Sequence, residues 1–116
     1  MKLWLVRAGK HGIYESKFLE EGRIYLTWSN LQKDLSEFNN RDELLDYLSD
    51  FYSDEKKNTI RNWAFQIWFF AKEISIGDWV VLPSKKKASV HFGKLTGDYV
   101  NVPTAENPLY HYRKVD

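Results

Sequence analysis

Apolar positions along this chain follow two rhythms. Residues 2–7 (Lys-Leu-Trp-Leu-Val-Arg) hold an unbroken apolar run, which predicts a first strand buried on both faces. Residues 23–27 repeat that character around Ile24, Tyr25 and Leu26 and predict a second strand. Between them, residues 13–21 read as a short helix with Tyr14 and Phe18 at i,i+4 and Gly22 as its stop. The rhythm then lengthens. Asn40 is the expected N-cap of a helix to Phe51, with Leu44, Leu45 and Leu48 on one face. Ser53 is the expected cap of a longer helix, followed by Asp54 and Glu55. Its apolar face is Ile60, Trp63, Ala64, Ile67, Trp68, Ala71 and Ile74, widened by Phe65, Phe69 and Phe70. Residues 31–38 between these blocks read as a polar connector.

The second half returns to short strands. Residues 79–83 form a buried strand ending at Pro83, and a basic loop follows at 84–88. Residues 89–96 form a strand in which Gly93 is a candidate bulge. A turn at Gly97 and Asp98 precedes a short strand at 99–102, and a loop bounded by Pro103 and Pro108 precedes a last strand at 110–115. That strand sets Tyr110, Tyr112 and Lys114 against His111, Arg113 and Val115. The pattern predicts an α+β fold: a small, partly open barrel of about six strands with a helical insert on one side, in a single domain over residues 1–116.

Composition sharpens this in two ways. Aromatics make up 16% of the chain, including five tryptophans, of which about three are expected in the core. Trp63 and Trp79 sit inside strong apolar patterns and are expected there. The net charge is +1, so any contact with nucleic acid must use a local patch rather than a global field. With no cysteine, thiol catalysis, disulfides and zinc knuckles are excluded. The absence of any 18-residue apolar run points to a soluble, cytoplasmic protein with no membrane partner.

Catalytic machinery is not evident. His11, His91 and His111 are widely spaced and show no metal-ligand pattern. Glu15-Ser16-Lys17 has a spacing found in nucleases but falls in the predicted helix without a preceding strand aspartate. No metal, cofactor or enzymatic activity is expected. Three segments are candidates for recognition instead. Trp28, Ser29 and Asn30 end the second strand, either as an indole with two hydrogen-bonding neighbours for a flat ligand or as a core tryptophan entering a turn. Lys10 and His11 between Gly9 and Gly12 can hold phosphate, or form a mobile loop. Lys85, Lys86 and Lys87 can grip a phosphate backbone, or form a solvated loop tip.

The order of these motifs is similar to the EVE and YTH branch of the PUA-like domains. It resembles most the N-terminal domain of Mrr-type restriction endonucleases, through Trp4-Leu5-Val6-Arg7-Ala8-Gly9, Asn62-Trp63-Ala64 and Tyr110-His111-Tyr112-Arg113-Lys114-Val115. The resemblance implies a module that holds a modified base, turned out of DNA, in an aromatic pocket. By motif position it places base contacts at Trp28, Ser29, Asn30, Ala8 and Gly9. Lys10, Lys85, Lys86 and Lys87 then hold flanking phosphates. The implied partners are DNA with modified bases and a downstream nuclease domain or subunit in a restriction or phage-defence system. RNA, a small nucleotide-like molecule or another protein are the alternatives.

Overall fold

The computed structural model describes residues 2–116 and shows an α+β fold with six strands in two small sheets and three helices. In chain order these are β1 (Leu3–Leu5), α1 (Glu15–Glu21), β2 (Arg23–Leu26), α2 (Arg41–Phe51), α3 (Lys57–Trp68), β3 (Trp79–Pro83), β4 (Val90–Lys94), β5 (Val100–Asn101) and β6 (His111–Lys114). The chain divides into two compact units, one made of residues 2–33 and Ile74–Asp116, the other of Asp34–Glu73.

The first unit holds every strand. One sheet has the order β1-β3-β4, with β1 parallel and β4 antiparallel to β3. The other has the order β2-β6-β5 and is antiparallel throughout. A single bridge between Leu95 and Val115 joins the end of β4 to the end of β6. Ile24, Tyr25, Leu26, Val80, Leu82 and Leu95 supply buried apolar side chains. Gly22 closes α1 in the left-handed conformation at φ 61°, as its position predicted.

The apolar run at 2–7 does not form a strand buried on both faces. β1 alternates instead: Leu3 and Leu5 point to the open face of the sheet and are exposed, and only Trp4 turns inward. β3 likewise alternates, with Val80 and Leu82 buried and Trp79, Val81 and Pro83 half-buried. Gly93 is no bulge: it pairs in register with Val80, and a Cβ there would meet the Asp116 carbonyl at 3.3 Å. The strand lacks a side chain at that point because the C-terminal backbone passes so close. All five tryptophans are half-buried and none is fully in the core.

The second unit is a helical hairpin. Asn40 caps α2 by accepting from the Glu43 N–H at 3.0 Å, and Glu43 Oε1 accepts from the Asn39 N–H at 2.8 Å. Ser53 does not cap α3. The Glu55 N–H donates to the Tyr52 carbonyl, which uses residues 52–55 to close the turn, and the helix starts only after Lys56. Leu44, Leu48, Ile60, Ala64 and Ile67 form the core between the helices. Tyr52 packs edge-on to Trp63 at 5.3 Å, and burial pushes its hydroxyl up to about 12. After Trp68 the chain widens into a π-turn at Phe69–Glu73, where Phe70 is buried and Ala71 only half-buried. Phe65 is exposed, edge-on to Phe69 at 4.3 Å, so α3 is covered on fewer sides than its composition implied. The connector before α2 is not simply polar. It carries a 3-10 turn, Leu35–Glu37, in which Leu35 is buried, and Phe38 is buried behind it.

Candidate nucleic-acid interface

The parallel pairing of β1 and β3 sends the chain out of both strands at the same end of the sheet. Leu5 pairs with Val81, and the Val6 N–H donates to the Val81 carbonyl at 2.9 Å. The loop after β1 (residues 7–14) and the loop after β3 (residues 84–89) are therefore neighbours. They meet at Gly12, whose φ of +68° and bare Cα admit the Lys85 side chain. A Cβ there would lie 2.6 Å from Lys85 Cγ.

Glu15, the first residue of α1, ties the two loops together. It is 3% exposed. Its Oε1 accepts from the Lys85 N–H and its Oε2 from the Ser84 hydroxyl, both at 2.8 Å. Ser84 Oγ in turn accepts from the Lys86 and Lys87 N–H groups, each at 3.1 Å. Lys86 Nζ donates to Ser16 Oγ. The Lys85 N–H above all, then the Ser84 hydroxyl, hold the Glu15 carboxyl below the usual carboxylate range; His91, with Nε2 3.5 Å from Oε2, adds to this. Glu15 is thus an ionised strut. The loop it supports presents Lys85, Lys86 and Lys87 at the surface, next to the loop that carries exposed Lys10 and His11. The structure brings all four lysines named from the sequence onto two adjoining loops. Arg7, at the start of the loop after β1, adds a further exposed cation.

Ala8 and Gly9 serve that architecture directly. Ala8 is buried, and its carbonyl accepts from the Tyr14 N–H at 2.8 Å. Gly9 sits at φ +82°, where a Cβ would fall 2.6 Å from the Tyr14 ring. Both residues pack around Tyr14, which leaves no methyl of Ala8 open to a ligand.

Trp28, Ser29 and Asn30 follow β2 as a turn. Trp28 is half-buried, and Ser29 and Asn30 are exposed. The Leu31 N–H donates to the Trp28 carbonyl at 3.4 Å, and Asn30 takes the left-handed conformation at φ 63°. The Asn30 N–H donates to Asn107 Oδ1 at 2.7 Å, which leaves the Asn30 side chain out of that bond. Beneath the turn lies His111, 1% exposed. Its Nε2 lies 2.6 Å from the Leu31 carbonyl; a carbonyl only accepts, so Nε2 carries the proton. Nδ1 then accepts from the Tyr99 hydroxyl at 2.6 Å, and Asn101 spans from Nδ1 to the Gln32 carbonyl. Sequence reasoning missed Tyr99, Asn101, His111 and Asn107 as supports of this turn. The alternation of the last strand, which sets His111 and Arg113 on one face, was the available signal.

The family model for a domain of unknown function, DUF8426, matches residues 2–116. The chain belongs to the DUF8426 family. No curated protein and no solved structure matches it.

Two further buried charges in this DUF8426 chain are structural. Asp78 accepts from the Ser75 N–H at 2.9 Å, the Trp4 indole at 3.0 Å and the Lys2 N–H at 3.1 Å. These donors, led by Ser75, hold its carboxyl down to about 2. Trp4 is thereby fixed as a support of the sheet. Arg113 donates to the carbonyls of Gly97 and Ile74, and burial draws its guanidinium below the ordinary value. Among the described residues no group of three or more His, Asp or Glu is arranged to hold a metal ion, and no helix is long and apolar enough to cross a membrane.

Proposed function

We propose that this chain reads a modified base in DNA, as the targeting module of a modification-dependent restriction or phage-defence nuclease, and that its two sheets form a PUA-like, partly open barrel of the EVE and YTH type. The observation that carries the reading is the Glu15 strut. Burying an ionised carboxylate is costly unless its hydrogen bonds are satisfied, and here that group is spent on joining two loops whose exposed cations are Lys10, Lys85, Lys86 and Lys87. A loop tip left to solvent requires no such support. The parallel β1–β3 pair, the helical segment between β2 and β3, and the Leu95–Val115 link between sheets are consistent with the barrel.

In this reading the lysines hold phosphates flanking the target. The extruded base stacks on Trp28, with Ser29 and Asn30 reading its edge. Extrusion costs a few kcal/mol, least at a weakened pair. Stacking returns about 1–3 kcal/mol, and phosphate contacts supply the salt-dependent remainder. The chain acts as a binding module rather than an enzyme, since the Glu15 carboxylate buried beside His91 is committed to Ser84 and Lys85.

The test is fluorescence anisotropy with short labelled duplexes carrying cytosine, 5-methylcytosine, 5-hydroxymethylcytosine or N6-methyladenine, repeated across salt concentrations. One modified duplex binds more tightly than the unmodified one. Replacing Lys85, Lys86 and Lys87 together with Ala lowers affinity and makes the slope of log K against log[salt] shallower, by about 0.9 for each phosphate that is no longer neutralised. Tighter binding of matched RNA would shift the partner to RNA. Affinity that does not respond to salt would replace this reading with a small-ligand or protein-binding one.

A further inference from the structure

We infer that, independently of any role in DNA binding, the outer face of the β1-β3-β4 sheet is a docking surface for an amphipathic helix of a partner protein, one with an apolar stripe flanked by acidic residues. Strand register places Leu3 beside Trp79, Leu5 beside Val81, Val81 in turn beside Phe92, and Pro83 beside Val90, all on one face. Leu3, Leu5, Phe92 and Val90 are 66%, 64%, 64% and 46% exposed. The opposite face carries Val80, Leu82 and Gly93 and is buried. One apolar face is therefore buried in the core, and the other is open along β1 and β4 and half-buried along β3. Isolated exposed apolar residues are ordinary, but a contiguous set across three strands marks an interaction surface.

Three features select the occupant. Parallel strand pairs such as β1–β3 are normally covered on both faces, and the usual cover is a helix. Three strands span about 10 Å, the width of one helix. The charge at the border is mainly positive: Lys2 and Lys94 lie at one end of the sheet, with the single acid Asp116 opposite Lys94, and Arg7 and Lys85 to Lys87 lie at the other end, while residues 2–7 and 79–94 contain no Asp or Glu. A second copy of this chain would bring like charges together. A lipid surface would leave the open backbone edge of β1 without partners wherever it entered hydrocarbon. An acid-flanked helix satisfies both the apolar face and the cations.

The experiment uses the full chain and a labelled helical peptide of roughly 18 residues, with leucines at i, i+3, i+4 and i+7 and glutamates on both flanks. A control peptide carries lysine in place of glutamate. The glutamate peptide is expected to bind in the range of about 10–100 μM, and the lysine peptide at least ~10-fold more weakly. The double variant Leu5→Ser with Phe92→Ser keeps its far-ultraviolet circular dichroism, because both side chains are exposed, and loses the peptide while keeping its affinity for DNA. Equal binding of the two peptides, no binding of either, or binding unchanged in the double variant would overturn the proposal. So would a dimer in sedimentation that the same substitutions abolish, or uptake onto phosphatidylserine vesicles in preference to the peptide.

Discussion

Asp78 shows how one carboxylate can organise a strand it does not belong to. Its three donors come from Ser75, from the Trp4 indole and from Lys2, and so fix β1 against the start of β3. A carboxylate with a lowered folded-state pKa stabilises the fold above its ordinary value and loses that contribution as pH falls through the folded value. For Asp78 the loss runs from its ordinary value near 3.8 down to about 2. Asp78→Asn is therefore expected to lower the melting temperature at pH 7. Between about pH 4 and pH 2 the variant's melting temperature falls less steeply than that of the wild type, in thermal melts followed by circular dichroism. A variant with unchanged melting behaviour would remove Asp78 from this role. Little of this was legible in the sequence, where Asp78 reads as a turn residue beside Gly77. Its partners lie up to 76 positions away. Glu15 was equally opaque: the helical spacing located it, but not the loop from residue 84 onward that it holds.

Elements were legible where local chemistry decides them. The Asn40 cap and the Gly22 stop depend on neighbours within four residues, and both stand where the pattern put them. Asn40→Ala is expected to cost about 1 kcal/mol, because the Glu43 N–H is left without its acceptor. Urea denaturation checks this, and a change below a few tenths would show the cap to be dispensable. The failures have separate causes. Ser53 has no capping role because residues 52–55 are needed to close the hairpin. The runs at 2–7 and 79–83 read as buried on both sides, because apolar composition alone does not show how many layers cover a sheet. The resulting excess of apolar surface on β1, β3 and β4 is a property of the element, visible only once register is known.

At the scale of the whole molecule, the division into a stranded unit and a helical unit follows the shift from strand to helical rhythm near residue 40 and back near 75. The sequence pattern placed the helical segment from Asn40 to Ile74, whereas the second unit begins at Asp34, and it did not show the topology. It did not show that β1 lies parallel to β3, 76 residues later, with the basic loops brought together as a consequence. The candidate site was legible as three separate segments. Two of them became neighbours through Gly12 and Glu15, while the turn at Trp28 rests on Leu31, His111 and Asn107. The central claim is that Trp28 stacks a base while the lysine loops hold the backbone. It is tested most directly by comparing wild type with Trp28→Ala in titrations against the modified-base duplexes, with circular dichroism and thermal melting on both proteins. The account predicts that Trp28→Ala stays folded and loses the preference for the modified duplex, keeping only weak, salt-sensitive binding. A variant that unfolds, or a wild type that binds no modified duplex at ~100 μM, would contradict it.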